Sequence, residues 1–151
     1  MTSPASIPAL PPGCRVAVGL GCDRGTPLAT LERAVAEALA LAGVPLANVA
    51  AAGSIDLKAD EPALLALAAQ YGWPLTFYTA AHLATVTVPN PSEIVRKHTG
   101  SPSVSEASAL LAASTSGQAL PAAALLVEKH KYRGADGRNA TVSLARCQLL
   151  N

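Results

Sequence analysis

Val16-Ala-Val-Gly-Leu-Gly-Cys-Asp-Arg-Gly-Thr-Pro27 decides how this chain folds. Val16–Leu20 is a short apolar run with Gly19 and Gly21 at its end, which reads as a first strand. Thr26 then suits the N-cap of a helix, with Pro27 at its first position. Leu28, Leu31, Val35 and Leu39 continue at helical spacing, and Gly43 and Pro45 end the helix. A strand that runs through a glycine-rich turn into an amphipathic helix is the opening of an α/β domain.

The same alternation recurs downstream. Asn48–Ile55 reads as a second strand whose small residues imply close packing on both sides. Asp60 or Glu61 caps the next helix, Pro62 lies in its first turn, and Gly72-Trp73-Pro74 stops it. Leu75–Tyr78 is a third strand, followed by a short helical turn capped by Thr79. Asn90-Pro91-Ser92-Glu93 and Ser103 with Glu106 both have the form of capping boxes. Ala122–Lys129 and Thr141–Arg146 read as two strands joined by a connection with Asp136-Gly137 at its turn. The expectation is one α/β domain over residues 14–151. It has a mixed sheet of about five strands, flanking helices and a C-terminal β-hairpin. Residues 1–13, with Pro4, Pro8, Pro11 and Pro12, read as a flexible tail without the build of a signal peptide.

Composition narrows the function. The 151 residues are 50% hydrophobic but only 3% aromatic, so Leu, Val and Ala must fill the core. No apolar run is long enough for a membrane span. Cys14, Cys22 and Cys147 form neither an even set nor a Cys-x-x-Cys pair, which suits a reduced, cytoplasmic protein without a metal site. Net charge is +1, far below a nucleic-acid footprint, and the few aromatics argue against single-strand stacking. The charge is uneven: residues 1–90 carry four Lys/Arg and six Asp/Glu, and residues 91–151 carry seven and four. That imbalance is enough to line one pocket for an acidic small molecule.

Polar residues gather where strands or loops open into helices, which are the places where α/β sheets bind ligands and helices offer free N–H groups. Gly19-x-Gly21-x-x-x-Gly25 invites comparison with dinucleotide loops. Its spacing is one residue too long, and the expected acid about 20 residues on is missing. A tight strand-to-helix turn accounts for most of it, so no cofactor is expected. Arg24 beside a helix start suits an anion. Lys129 and Lys131 end an apolar strand on one face, fit for a polycarboxylate or for guarding a sheet edge. Asp56, Glu61 and His130 are candidate water-activating groups, although no spacing pairs any of them with a partner. Cys22 could be an activated thiol, but a small buried cysteine is the commoner case.

Five strings occur in order: Gly-Cys-Asp-Arg-Gly-Thr, Ser-Ile-Asp-Leu-Lys-Ala-Asp-Glu-Pro, Pro-Asn-Pro-Ser-Glu-Ile-Val, Ser-Val-Ser-Glu-Ala and Val-Glu-Lys-His-Lys. Together, over Val16 to Arg146, the chain resembles the CobE / CbiG C-terminal-domain family of cobalamin biosynthesis, in its stand-alone form. The resemblance implies a cytoplasmic protein that meets precorrin or other corrinoid intermediates, and other cobalamin-biosynthesis enzymes as partners. In the longer CbiG proteins it implies hydrolytic opening of the cobalt-precorrin-5A lactone with loss of acetaldehyde. Here Asp23 stands where the family often has arginine, Pro27 where it has serine, and Pro102 where a glycine is frequent. Precorrins carry many acetate and propionate arms, so their site needs converging cations and N–H donors. The expected binding set is Gly21, Cys22, Arg24, Gly25, Thr26, Asp56, Lys58, Asn90, Ser92, Ser103, Glu106, Lys129 and Lys131.

Overall fold

The computed structural model describes residues 14–89 and 103–148. The N-terminal stretch read as a tail and the Asn90 and Ser92 positions lie outside the described residues. Five strands are present: β1 (Val16–Cys22), β2 (Val49–Ile55), β3 (Leu75–Tyr78), β4 (Leu125–Arg133) and β5 (Asn139–Arg146). The described helices are α1 (Leu28–Ala42), α2 (Pro62–Tyr71), α3 (Ala80–Ala84) and α4 (Val104–Ala112). The strands form one mixed sheet in the order β3-β2-β1-β5-β4. β1, β2 and β3 run parallel, and the β4–β5 hairpin joins antiparallel to β1. The expected α/β fold, five-stranded sheet and terminal hairpin are all present.

The period-2 pattern of the strands divides the core into two layers. Val16, Val18 and Leu20 of β1 and Val142 and Leu144 of β5 pack with Leu31, Val35, Leu64 and Leu67 of α1 and α2. The opposite face carries Ala17 and Ala145, packed with Leu110 and Ala107 of α4 and Leu83 of α3. α4 lies very close to the sheet. A Cβ built on Gly19 would stand 1.8 Å from the Ser105 carbonyl oxygen, and one on Gly53 would stand 2.9 Å from the Tyr78 ring. The glycine at position 19 is therefore dictated by helix packing.

Local chemistry explains the ends. Gly43 and Gly72 close α1 and α2 in the left-handed region at φ 67° and 70°, where glycine carries no Cβ penalty. Thr79 caps α3 as its sequence suggests, accepting from the His82 N–H at 3.1 Å. Thr26 does not cap α1. Pro27 holds the cap position, and the buried Thr26 hydroxyl donates to the Asp23 carbonyl at 2.7 Å, tightening the turn before the helix. The hairpin strands run longer than the apolar pattern suggests, because Tyr132–Arg133 pair with Asn139–Ala140 across a turn in which Gly137 takes φ 86°.

Candidate functional site

A cleft of about 530 Å³ opens at the carboxyl ends of β1 and β2. Gly21, Cys22, Asp23 and Arg24 line it from the end of β1, and Ile55 and Lys58 from the end of β2. Ser103, Val104 and Ser105 contribute the start of α4, and Lys129, Lys131, Asn139 and Thr141 come from the hairpin. Four segments distant in sequence meet because the parallel strands deliver their turns to one edge and β5 pairs beside β1. Thr141 stands opposite Gly21 on β1 and opposite Lys131 on β4.

Three lysines, Lys58, Lys129 and Lys131, line this cleft. Burial pulls the Lys129 ammonium below the usual lysine range, partly offset by the nearby Glu106 carboxylate, while Lys131 adds repulsion. Glu106 is fully buried on α4, among neighbours that include Lys129, and does not line the cleft. Burial raises the Cys22 thiol to about 11 against the opposing pull of Lys58, so it stays protonated near neutrality. That argues against an activated thiol.

The rim is tied together by carboxylates. The Arg24 guanidinium donates to Asp60 Oδ1 at 2.6 Å, to Glu61 Oε1 at 3.3 Å and to the Leu57 carbonyl. Its hydrogen bond to Asp60 pushes Arg24 further up and holds the Asp60 carboxyl below its usual range. Glu61, 2% exposed, also accepts the Gly25 N–H at 3.1 Å. Asp23 Oδ2 accepts the Asn139 N–H at 2.8 Å, and Arg138 Nε donates to the Arg24 carbonyl at 2.9 Å. Three loops are thereby clasped around the opening.

Of the expected binding residues, Gly21, Cys22, Arg24, Lys58, Ser103, Lys129 and Lys131 meet in the cleft. Gly25, Thr26, Asp56 and Glu106 are not among its lining residues: Gly25 and Thr26 build the turn behind it, and Asp56 is exposed at the start of a short turn after β2. The candidate bases do not converge. Glu61 is committed to the rim, and His130 faces away, with Nε2 2.8 Å from Glu37 Oε1 on α1. Alternation along β4 separates His130 from the lysines on either side. Asp23, Ile55, Val104, Ser105, Asn139 and Thr141 also line the cleft and were not anticipated. The period-2 register of β5 was the signal that could have found Thr141. Another cavity, about 600 Å³ between His82, Leu111 and Pro121, carries no Lys, Arg, Asp or Glu in its lining. Among the described residues no cluster of His, Cys, Asp or Glu could hold a metal ion.

The family profile described as "Cobalamin synthesis G C-terminus" matches residues 16–145. The chain belongs to the CbiG C-terminal family. Over 96 residues it is 38% identical to a cobalt-precorrin-5A hydrolase of Priestia megaterium, covering 64% of this chain and 26% of that protein. It is also 41% identical over 103 residues to Protein CobE of Sinorhizobium sp, covering 67% of each. A crystal structure of CobE, from the cobalamin (vitamin B12) biosynthetic pathway, superposes with a TM-score of 0.70 at 28% identity, covering 97% of this chain and 99% of that one. Membership in the CobE/CbiG group therefore rests on sequence and fold together, and the chain spans about a quarter of the hydrolase it matches. Among the described residues no helix of this family member is long and apolar enough to cross a membrane.

Proposed function

We propose that this cobalamin-biosynthesis protein binds an acidic precorrin-type intermediate in the cleft at the carboxyl end of its sheet. The convergence of Lys58, Lys129 and Lys131 on one opening beside the start of α4 carries this reading. The volume falls within the range of about 300–1,000 Å³ usual for small-molecule sites. Ile55, Val104 and the Thr141 methyl supply apolar contact, and the lysines supply charge for the ring's carboxylate arms. Three or four charged hydrogen bonds at about 1.5–3 kcal/mol each, together with the apolar contact, offset the cost of association. The test is an absorbance titration with cobyrinic acid, a stable acidic corrin, and with its fully methylated ester. Uptake of the acid but not the ester, weakened by Lys58→Glu with Lys131→Glu, is the expected result. Equal binding of acid and ester would defeat the reading.

The likeness to the cobalt-precorrin-5A hydrolase favours a second reading, a hydrolase that opens a precorrin lactone with loss of acetaldehyde. Asp56, Glu61 and His130 lend it little support, since none lines the cleft. Acetaldehyde release by the isolated protein from a precorrin-5A substrate would establish it. Substrate uptake with no acetaldehyde would leave the binding role.

A further inference from the structure

Ser103 occupies the N-cap position of α4 with an extended backbone, yet its side chain makes no capping hydrogen bond. It is 1% exposed, and among the described residues its Oγ is the buried side-chain oxygen with no hydrogen-bond partner. Burying a hydroxyl in this way is unfavourable, so an unsatisfied one beside a cleft calls for an explanation. Nearby serines are in a different position. Ser54 donates to the Leu20 carbonyl at 2.7 Å, and the Ser105 and Ser143 hydroxyls pair at 2.9 Å. Ser108 bonds the Val104 carbonyl at 2.5 Å.

Ser103, Val104 and Ser105 all line the cleft. The first helical hydrogen bond of α4 runs from the Ala107 N–H to the Ser103 carbonyl at 3.2 Å, so the N–H groups of Val104 and Ser105 precede the ladder. α4 has nine residues, long enough for its dipole to favour an anion at this end. We propose that the start of α4 is a dedicated subsite for one carboxylate arm of the ligand, held by the Ser103 hydroxyl and the first-turn N–H groups. The other arms belong to the lysine wall. The proposal rests on the acidic-corrin reading given above and divides its site in two. One part is made of neutral, buried donors and the other of cations, among which Lys131 is exposed. Salt screens the second far more than the first.

Ser103→Ala separates the two parts. Without ligand, removing an unpartnered buried hydroxyl leaves the melting temperature unchanged or raises it by about 2–6 °C. With cobyrinic acid, the loss of a hydrogen bond to a charged group weakens binding about tenfold, by the same factor at 50 and 500 mM salt. Ser103→Thr keeps the hydroxyl and retains binding. Lys131→Glu also weakens binding at 50 mM salt, but its effect shrinks at 500 mM. Lysine-variant weakening with wild-type affinity in Ser103→Ala would overturn the subsite and leave the acidic-corrin reading standing. A melting temperature several degrees lower in Ser103→Ala would show a hydroxyl already partnered, and would overturn it too. No measurable binding of cobyrinic acid to the wild type would remove both.

Discussion

Gly19 and Gly21 are two residues apart on β1 and do different things. A methyl at Gly19 would meet the Ser105 carbonyl oxygen at 1.8 Å and the Ala109 nitrogen at 2.7 Å, so α4 would have to lift off the sheet. Gly19→Ala should cost more than about 3 kcal/mol, seen as a large fall in the urea midpoint or as failure to fold. At Gly21 the nearest atom is the Thr141 Cβ at 3.9 Å, an ordinary contact, so alanine fits and only intrudes on the cleft. The glycine spacing 19-21-25 invites comparison with a nucleotide loop but is one residue too long for it. Its physical cause at 19 is a helix more than eighty residues downstream, and local spacing holds no trace of that. Lys129 and Lys131 were legible as cleft residues because strand alternation is a local rule. The commitment of Glu61 to Gly25 and Arg24 was not, because it depends on two loops meeting in space.

Among the elements, the hairpin decides how the cleft responds to pH. β4 presents Lys129 and Lys131 to the opening and turns His130 and Tyr132 toward α1. Burial places Lys129 below the ordinary lysine range, so the folded protein releases that proton earlier than an unfolded chain does. The cost of keeping it charged is fully present below that lowered value and is relieved progressively as pH rises from it to the ordinary lysine value. A bound carboxylate favours the charged form, so affinity for an acidic ligand should fall on the alkaline side before an ordinary lysine titrates. A pH series of cobyrinic acid titrations checks this, and Lys129→Met should flatten that limb. The order of strand, helix and hairpin was readable from period and punctuation alone. The strand order was not, because it depends on which turns carry the chain across the sheet.

At the scale of the whole molecule, the rim clasp joins the turns after β1 and β2 to the hairpin. Its buried member is Glu61, so Glu61→Ala leaves the Gly25 N–H without its acceptor and removes one of the three acceptors of the Arg24 guanidinium. Loss of hydrogen bonds to a charged group should cost about 1.5–3 kcal/mol in denaturant unfolding, with weaker ligand uptake as the loops spread. Asp60 contributes with the opposite pH sense to Lys129. Its folded-state carboxyl is depressed by Arg24, so its contribution is complete near neutrality and disappears as acid titrates it through that lowered value. Both groups of the Asp60–Arg24 pair are largely exposed, and the pair works as a tether more than as a source of stability.

The sheet separates two kinds of interior. Against α1 and α2 it buries aliphatic side chains, while against α4 it buries Ser105, Ser108, Ser143 and Glu106. Oil can be repacked by many volume-matched combinations, but hydroxyls and a carboxylate must each keep a partner. An engineer who wanted a hardier version of this protein could therefore remodel the α1–α2 layer freely, while each change to a hydroxyl or the carboxylate beneath α4 would need a new partner for the group left behind.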